Sequence, residues 1–488
     1  MQQNDNTKLH RSLSMWDATM LVAGSMIGSG IFIVSSDMAR LTGSAGWLLF
    51  LWVLSGLITL IAALCYGELA GMMPDAGGQF VFIKRAWGNT LSFLYGWTVF
   101  MVIQTGVIAA VAVAFARFTG VFIPFLSDTN ILLDAGWFQI SAAQCLAILL
   151  IVFLTWVNTK GIESGKTIQT FFTSAKLLAL FMLIIAGLYV GMKTDLLSSN
   201  FDNAWTAVKT VKTDSGWISE NISGFALILV LGTAIIGSLF SSDAWNNVTF
   251  IAGEIKDPKK NIPRSLLLGT GIVTVLYFLV NIAYLSLLPL KGDPSAADVA
   301  GQGIQFAGGG TDRVGTAAAS MIFGDASVYI MAALIMISTF GCNNGLILAG
   351  ARVYHTMARD GLFFKKTGTL NKYNVPEFAL WIQCLVACIL CLSGKYGDLL
   401  DMISFVVVMF YALTITGIFI LRKQKPDLDR PYKAFGYPVL PAVYILMAIA
   451  FCILLILYKP TYTWPGLIIV LAGIPIYYLA VANKKKTT

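Results

Sequence analysis

The stretch Gly24-Ser25-Met26-Ile27-Gly28-Ser29-Gly30 interrupts a long apolar segment close to its middle. Three glycines in seven residues weaken a helix, because each glycine costs about 1 kcal/mol relative to alanine in a helix interior. The surrounding segment, residues 15–42, is long enough to cross a membrane. The sequence therefore predicts a membrane helix that unwinds at mid-depth, where freed backbone groups are tolerated only beside a cavity or a ligand.

The composition of the whole chain excludes a soluble protein of this length. Of the 488 residues, 57% are apolar and only 12% are charged, whereas soluble domains carry roughly 25% charged residues. The net charge of +8 would suit nucleic acid, but most Lys and Arg lie in short connections between apolar runs. Basic residues placed in this way set membrane topology. The expected partner is therefore the lipid bilayer, and no nucleic acid is expected.

Runs of about twenty apolar residues recur along the chain and predict an all-α polytopic membrane protein with 12 transmembrane helices. The predicted spans are 15–42, 46–73, 91–118, 138–158, 168–192, 222–251, 265–289, 326–350, 376–394, 398–421, 436–458 and 464–483. Residues 15–421 form a predicted core of ten helices, and residues 436–483 hold helices 11 and 12.

The distribution of basic residues predicts the orientation of these spans. Of the 33 Lys and Arg residues, 23 fall on the side that holds both chain ends and nine on the opposite side. Because cytoplasmic connections are enriched in Lys and Arg, both termini are predicted to be cytoplasmic. The tails 1–14 and 484–488 would then face the cytoplasm, and the protein would lie in the plasma (inner) membrane.

A second interruption occurs five spans after the first. The span 222–251 contains Gly232-Thr233-Ala234-Ile235-Ile236-Gly237-Ser238, followed by Ser241-Ser242-Asp243. Small residues in one span are explained by close helix packing. Two such clusters at equivalent places favour two inverted repeats of five spans, about 15–192 and 222–421, with discontinuous helices 1 and 6.

These interruptions predict the charge pattern of a ligand. A half-helix that starts after Gly30 offers N–H donors and a positive dipole end, which suit a carboxylate. The freed carbonyl groups of Ser25, Met26 and Phe240 could accept hydrogen bonds from an ammonium group. A small zwitterion such as an amino acid matches both, although the spacing alone does not name the ligand.

At these residues the chain resembles the amino acid–polyamine–organocation permeases, and among them the L-type amino acid transporters and their bacterial relatives. The resemblance covers the whole chain. It implies the leucine-transporter fold and an alternating-access carrier of amino acids. Such a carrier is expected to exchange neutral L-amino acids without sodium. Its main stretches are Gly24 to Phe32, Leu239 to Pro263, and Ser338-Thr339-Phe340-Gly341-Cys342-Asn343-Asn344-Gly345.

The resemblance also implies the roles of individual residues. The loop 28–30 would bind the substrate carboxylate, and residues 25–27 would lie beside its amino group. Phe240 would cover the substrate as a gate, while Trp245 and Asn246 would shape the pocket for its side chain. With Asp243, the predicted substrate-binding residues are Ser25, Met26, Ile27, Gly28, Ser29, Gly30, Phe240, Asp243, Trp245 and Asn246.

Lys176 lies well inside the predicted fifth span, 168–192. A charge at such a depth costs about 3 kcal/mol on insertion scales. The residue could reach the interface by snorkelling, but its distance from the start of the span disfavours this explanation. The resemblance implies that its ammonium group lies where sodium-coupled relatives hold sodium, so transport is predicted to be independent of sodium.

Asp243 departs from the family pattern, because Ser241-Ser242-Asp243-Ala244 replaces a run such as Ala-Tyr-Gly-Gly. One interpretation is that Asp243 caps the second half of helix 6, since Asp favours helix N-termini. The other is a functional carboxylate, either a proton-coupling group or a partner for a cationic or hydroxylated substrate.

A second departure concerns partners. Animal L-type carriers are linked to a single-span glycoprotein through a cysteine in the outer connection between spans 3 and 4. Residues 119–137 contain no cysteine. A disulfide-linked heavy chain is therefore not expected, and the oligomeric state is left open.

Three classes of function are compared. A secondary amino acid carrier is favoured by the paired interruptions, and exchange and proton symport both stay open. A channel or receptor would need a polar lining or filter loops. A membrane enzyme would need clustered His, Asp or Glu, and the chain has only two His. No enzyme activity, cofactor, catalytic residue or metal site is predicted.

Overall fold

A computed structural model of the chain describes residues 9–135, 139–213, 216–308, 313–392, 396–458 and 460–485. The predicted tails 1–14 and 484–488 lie partly outside these ranges. Helices dominate the described residues. In chain order they are α1 (Met15–Met26), α2 (Val34–Thr42), α3 (Ala45–Met72), α4 (Gln79–Trp87), α5 (Asn89–Thr98), α6 (Gln104–Thr119), α7 (Ala142–Thr159), α8 (Ile162–Gly191), α9 (Leu196–Phe201), α10 (Gly224–Ser241), α11 (Asn247–Phe250), α12 (Pro258–Leu287), α13 (Val299–Gln302), α14 (Val314–Phe323), α15 (Ser327–Arg359), α16 (Glu377–Leu392), α17 (Tyr396–Gln424), α18 (Val439–Tyr458) and α19 (Pro460–Lys485).

Two short antiparallel hairpins correct the expectation of an all-α fold. Strand β1 (Ile131–Asp134) pairs with β2 (Gln139–Ser141), and β3 (Val208–Thr213) pairs with β4 (Gly216–Asn221). Both hairpins lie in connections between long helices. They add local structure to the connections without changing the predominantly helical character of the chain.

Within the described ranges, nine helical segments are long and apolar enough to cross a membrane. Of the other three predicted spans, the ninth and the twelfth coincide with shorter apolar helical segments, Glu377–Leu392 and Thr463–Leu479. The first predicted span is divided between two helices, α1 and α2. The twelve apolar runs of the sequence therefore all fall on helices, and nine of these meet the length of a membrane crossing.

The first predicted span is interrupted where the glycines occur. Helix α1 starts with a capping box, in which Ser14 and Asp17 bond to each other's backbone amides, and it ends at Met26. A 3₁₀ turn at Gly30–Phe32 follows before α2 begins at Val34. The amide of Ile27 makes the last regular bond of α1, to the carbonyl of Ala23, and the amide of Gly28 bonds to the carbonyl of Met26 outside the helical pattern.

The sixth predicted span is interrupted as well. Helix α10 ends at Ser241, and the four-residue helix α11 begins only at Asn247. Ala244, between them, has a φ of 66°. A non-glycine residue in this left-handed region is uncommon and marks a strained turn. The chain therefore changes direction between α10 and α11.

The long helix α12 organises the packing around both interruptions. It packs against α1, α3 and α8, while α15 packs against α6 and α8. Buried apolar side chains from α1 to α19 form one continuous core cluster. The interrupted segments are consequently held between long, continuous helices.

Two ion pairs with buried carboxylates connect helices to each other and to the N-terminal segment, residues 9–14. Arg352 of α15 makes a bidentate pair with Glu254 at 3.0 and 3.1 Å, and each side chain is 1% exposed. The carbonyl of Glu254 also accepts from the amides of Ser12 and Leu13. On α3, the fully buried Glu68 accepts from Arg422 of α17 at 2.6 Å. The first pair ties α15 to the N-terminal segment through Glu254, and the second ties α3 to α17.

Candidate functional site

A cavity lies between the two interrupted segments and is called the central cavity below. It leaves about 80 Å³ for the centres of water molecules, which is room for several waters or a small solute. Side chains from α4, α5, α6, α15 and α17 complete its wall. Eight of the ten predicted substrate-binding residues line it, namely Ser25, Met26, Gly28, Ser29, Gly30, Phe240, Asp243 and Asn246.

The other two predicted residues lie behind this lining. Ile27 is fully buried, and its carbonyl accepts from Lys176 and Ser338. Trp245 lines a neighbouring smaller cavity, and its ring lies 4.8 Å from that of Tyr66 and 5.3 Å from that of Tyr411, centroid to centroid. Trp245 thus supports the wall near Asp243 from behind.

The two interruptions touch each other. A Cβ atom added at Gly30 would lie 2.2 Å from the Oγ of Ser241, so only glycine permits this approach. From α12, the hydroxyl of Tyr277 lies 3.2 Å from the carbonyl oxygen of Met26 and 3.1 Å from that of Ser241. One phenol therefore links the ends of α1 and α10.

Lys176 of α8 holds the first interruption from the opposite side. Its Nζ donates to the carbonyls of Gly24 at 2.7 Å, Ile27 at 2.8 Å and Ser338 at 3.1 Å. An ammonium group has three N–H donors, and all three are used here. The side chain is 2% exposed, so Lys176 does not snorkel to an interface. It fixes the end of α1 to α15.

The carbonyl groups predicted to face a substrate ammonium already have protein partners. The carbonyl of Ser25 accepts from the thiol of Cys342 at 3.2 Å, and that of Phe240 accepts from the amide of Asp243 at 3.1 Å. The Met26 carbonyl lies near Tyr277, as described above. Because a carbonyl oxygen has two lone pairs, that of Ser25 retains the capacity for a second hydrogen bond, whereas that of Met26 also accepts from the amide of Gly28 at 3.0 Å and has no lone pair left.

Two polar atoms at the central cavity have no hydrogen-bond partner among the described residues. They are the hydroxyl of Ser25 and the amide nitrogen Nδ2 of Asn247. Both residues are at most 3% exposed. A buried polar group left unpaired costs about 1–3 kcal/mol. A polar ligand in the central cavity would relieve this cost, so the lining is suited to a solute with charged or hydrogen-bonding groups.

Asp243 lines both the central cavity and the smaller cavity beside it. Its Oδ1 accepts from the hydroxyl of Tyr411 at 2.6 Å. Helix α11 has no side-chain capping bond at its first turn, so the carboxylate pairs with α17 instead of capping α11. Across the described ranges, no Lys, Arg or His lies within salt-bridge distance of Asp243. The site thus holds a half-buried carboxylate without a cation.

Several lining residues were not predicted from the sequence. They are Gln79, Tyr95, Gln104, Asn247, Cys342 and Tyr411. For Gln104 a signal existed, because it is a polar residue within the predicted span 91–118. Gln79 forms a hydrogen bond with the predicted residue Asn246 at 3.3 Å. The aromatic and cysteine residues carry no comparable signal, since such residues fill the cores of many membrane helices.

Comparison with known proteins places this geometry in context. Residues 13–481 match the family model described as amino acid permease. The Asc-type amino acid transporter 1 of Mus musculus is 26% identical over 99% of this chain and 83% of its own length. The large neutral amino acids transporter small subunit 2 of the same organism is 28% identical over 97% and 81%. The b(0,+)-type amino acid transporter 1 of Homo sapiens is 26% identical over 99% and 90%.

Proposed function

Because this chain belongs to the amino acid permease family, we propose that it is a secondary carrier that exchanges neutral L-amino acids across the membrane by alternating access. The observation that carries this proposal is the central cavity between two interrupted helices, with unpaired polar atoms on Ser25 and Asn247. The transporter names of the relatives agree with it.

The substrate would be held as a zwitterion. The amides at the start of the turn after Ser29 lack acceptors within that turn and suit the carboxylate. The free lone pair on the carbonyl of Ser25 and the Ser25 hydroxyl suit the ammonium group, while Met26 lines the cavity beside them. Phe240, half-buried in the cavity wall, is the proposed gate. Asn246, held by Gln79, and the supporting Trp245 would shape the space for the substrate side chain.

Sodium independence is the second part of the proposal. The three carbonyls that meet Nζ of Lys176 form an oxygen cluster of the kind that a cation occupies. Here a covalently attached ammonium group fills it. A carrier built in this way has no need of a sodium ion to join α1 to α15.

The proposed architecture is the twelve-span arrangement with two inverted repeats, about 15–192 and 222–421, and with helices 11 and 12 in 436–483. Its support is that the first and the sixth predicted spans are both interrupted, the first after α1 and the sixth after α10. The basic residues support a plasma (inner) membrane protein with both tails, 1–14 and 484–488, in the cytoplasm. No disulfide-linked partner is proposed, although one relative is named a small subunit.

Proton-coupled symport is a second candidate, favoured by one observation. Asp243 is a half-buried carboxylate at the central cavity with a hydroxyl partner, Tyr411, and no cation within salt-bridge distance in the described chain. Such a group could bind and release a proton as the cavity opens to either side, or it could pair with a cationic or hydroxylated substrate side chain.

We expect sodium-free proteoliposomes to take up radiolabelled alanine and leucine only when they are preloaded with the same amino acid. The reason is that an obligatory exchanger turns its binding site from one side of the membrane to the other only when a substrate is bound. Protein-free vesicles are the control. Uptake into empty vesicles that rises with an inward proton gradient would instead favour symport, and no uptake in either condition would contradict the substrate class.

The variant Asp243→Asn separates two functional roles of this carboxylate, proton coupling and pairing with substrate, in the same vesicles. Symport predicts that the dependence on the proton gradient disappears in this variant. Pairing with substrate predicts that the ratio of arginine to alanine uptake falls. The control is Asp37→Asn, which removes an exposed carboxylate that pairs with Arg40 on α2. Identical substrate profiles and pH dependence in wild type and Asp243→Asn would leave Asp243 with a structural role only.

A further inference from the structure

A second cavity lies at the surface beside the N-terminal segment, residues 9–14, and is called the basic vestibule below. It leaves about 950 Å³ for the centres of water molecules. Its walls come from the N-terminal segment, α4 and the residues just before it, the end of α15 and the segment after α17. Its lining residues with charge or a ring nitrogen are Arg11, Asp75, Lys84, Arg85, His355, Arg359, Asp360 and Lys425.

The charge of the basic vestibule is strongly positive. Five basic side chains face two carboxylates. One of these carboxylates, Asp360, is paired with Lys84 at 2.7 Å. In the part of the chain that the structure describes, Arg11, Arg85 and Arg359 have no carboxylate within salt-bridge distance. Arginine recognises phosphate and carboxylate groups through two parallel hydrogen bonds, so the vestibule is suited to an anion.

His355 supplies an independent indication of a ligand. It lines the vestibule although it is only 1% exposed. Its Nδ1 lies 3.2 Å from the carbonyl oxygen of Thr367, and since a carbonyl can only accept, Nδ1 carries the proton. The other ring nitrogen, Nε2, has no partner among the described residues. In the neutral ring Nε2 is an acceptor, so one buried acceptor lies in the wall of the vestibule beside many donors.

This combination selects among anions. A carboxylate has acceptors only, and it would leave Nε2 of His355 unpaired. A phosphate group with an adjoining hydroxyl has acceptors for the arginines and an O–H donor for Nε2. We propose that the basic vestibule binds a phosphate-bearing anion that carries a hydroxyl group, either a soluble phosphomonoester or the headgroup of an anionic phospholipid.

The position of the vestibule allows both sources. Lys84 and Arg85 lie near the end of α4, Arg359 ends α15, and Lys425 follows α17. Residues at the ends of membrane-spanning helices lie at the depth of lipid headgroups, and they are also accessible to solutes. A bound anion would bridge the N-terminal segment, α4 and α15, and would thereby oppose their separation.

The test measures binding directly and does not depend on transport. Glycerol 3-phosphate is titrated into the purified full-length chain in neutral detergent by calorimetry. Phosphatidylglycerol adducts are counted by native mass spectrometry. The test variant is Arg85→Gln/Arg359→Gln. The matched control is Lys365→Gln/Lys372→Gln, which removes two exposed charges from the connection after α15, outside the vestibule.

We expect the test variant to raise the Kd for at least one of the two probes about tenfold, because two charge-assisted contacts are lost. The control should stay within about twofold, and added salt should weaken binding by screening. Loss confined to glycerol 3-phosphate assigns the soluble source, and loss confined to phosphatidylglycerol assigns the lipid. Equal binding of both probes by the test variant and the control would overturn the proposal.

Discussion

Replacing Lys176 by methionine is expected to reduce the exchange of labelled leucine in proteoliposomes about 100-fold or more. Methionine keeps the length of the side chain but removes the three donors that meet the carbonyls of Gly24, Ile27 and Ser338. Ile27 keeps the hydroxyl of Ser338 as a second donor, but a buried carbonyl left without a donor, as at Gly24, costs about 1–3 kcal/mol. The end of α1 would therefore lose its attachment to α15, and the geometry of the central cavity with it.

The matched control for this variant is Lys166→Met, on the same helix. Lys166 pairs with Asp17 at 3.5 Å and with Glu163 at 3.3 Å, and its side chain is 28% exposed. Ion pairs at such positions contribute about 0–1 kcal/mol, so exchange should change little. Size-exclusion profiles before reconstitution distinguish a folded, inactive Lys176→Met from an unfolded one. Full exchange by Lys176→Met would contradict the role assigned to Lys176.

Replacing Arg352 by methionine is expected to lower the free energy of unfolding by about 3–5 kcal/mol, because it leaves the carboxylate of Glu254 buried without a cationic partner. The pair is bidentate and both side chains are 1% exposed. Since the backbone of Glu254 binds the N-terminal segment, loss of the pair also loosens that side of the molecule. The measurement is the midpoint of thermal unfolding in detergent, which should fall by several degrees.

A double-variant cycle makes this prediction specific. Arg352→Met/Glu254→Gln removes both charges, so it should be more stable than Arg352→Met alone. Lys84→Met serves as the control, because its pair with Asp360 is 30% exposed on both sides and contributes little. Strictly additive losses in Arg352→Met and Glu254→Gln would show that the buried pair is not the source of the stability.

The helices long enough to cross a membrane were predictable, because a run of about twenty apolar residues directly indicates such a helix. The interruption at residues 24–30 was predictable as well, since glycines weaken a helix wherever they occur. The hairpin of β3 and β4 was not predicted. Strands in a polar connection depend on pairing with each other, and the length of apolar runs carries no information about that pairing. The short helix α4 was missed for a related reason, since its nine residues are too few to cross a membrane.

The family resemblance drawn from the motifs is confirmed by the match over residues 13–481. Within the site, the sequence indicated Lys176 as a buried charge but not its three carbonyl partners, which lie on α15 and at the end of α1. Tyr277 carried no local signal, because its role depends on two helix ends that meet only in the folded chain. Trp245 was predicted at the pocket, and coordinates were needed to place it behind the lining.

The interrupted helices and their lateral supports form one unit. Tyr277 and Lys176 both hold the end of α1, one from α12 and the other from α8. Gly30 lets α10 approach the same point. A substrate in the central cavity would therefore contact backbone that is already fixed at three places. Such preorganisation lowers the cost of binding a charged solute, because few groups need to be reordered.

Calorimetric binding of leucine, leucinol and 4-methylpentanoic acid to the purified chain tests the zwitterion site most directly. Leucinol lacks the carboxylate that the turn after Ser29 would bind, and 4-methylpentanoic acid lacks the ammonium group that the carbonyl and hydroxyl of Ser25 would bind. If each end makes at least two charge-assisted hydrogen bonds, each analogue should bind about 100-fold more weakly than leucine. Binding of leucinol as tight as that of leucine would contradict a carboxylate site at the first helix interruption.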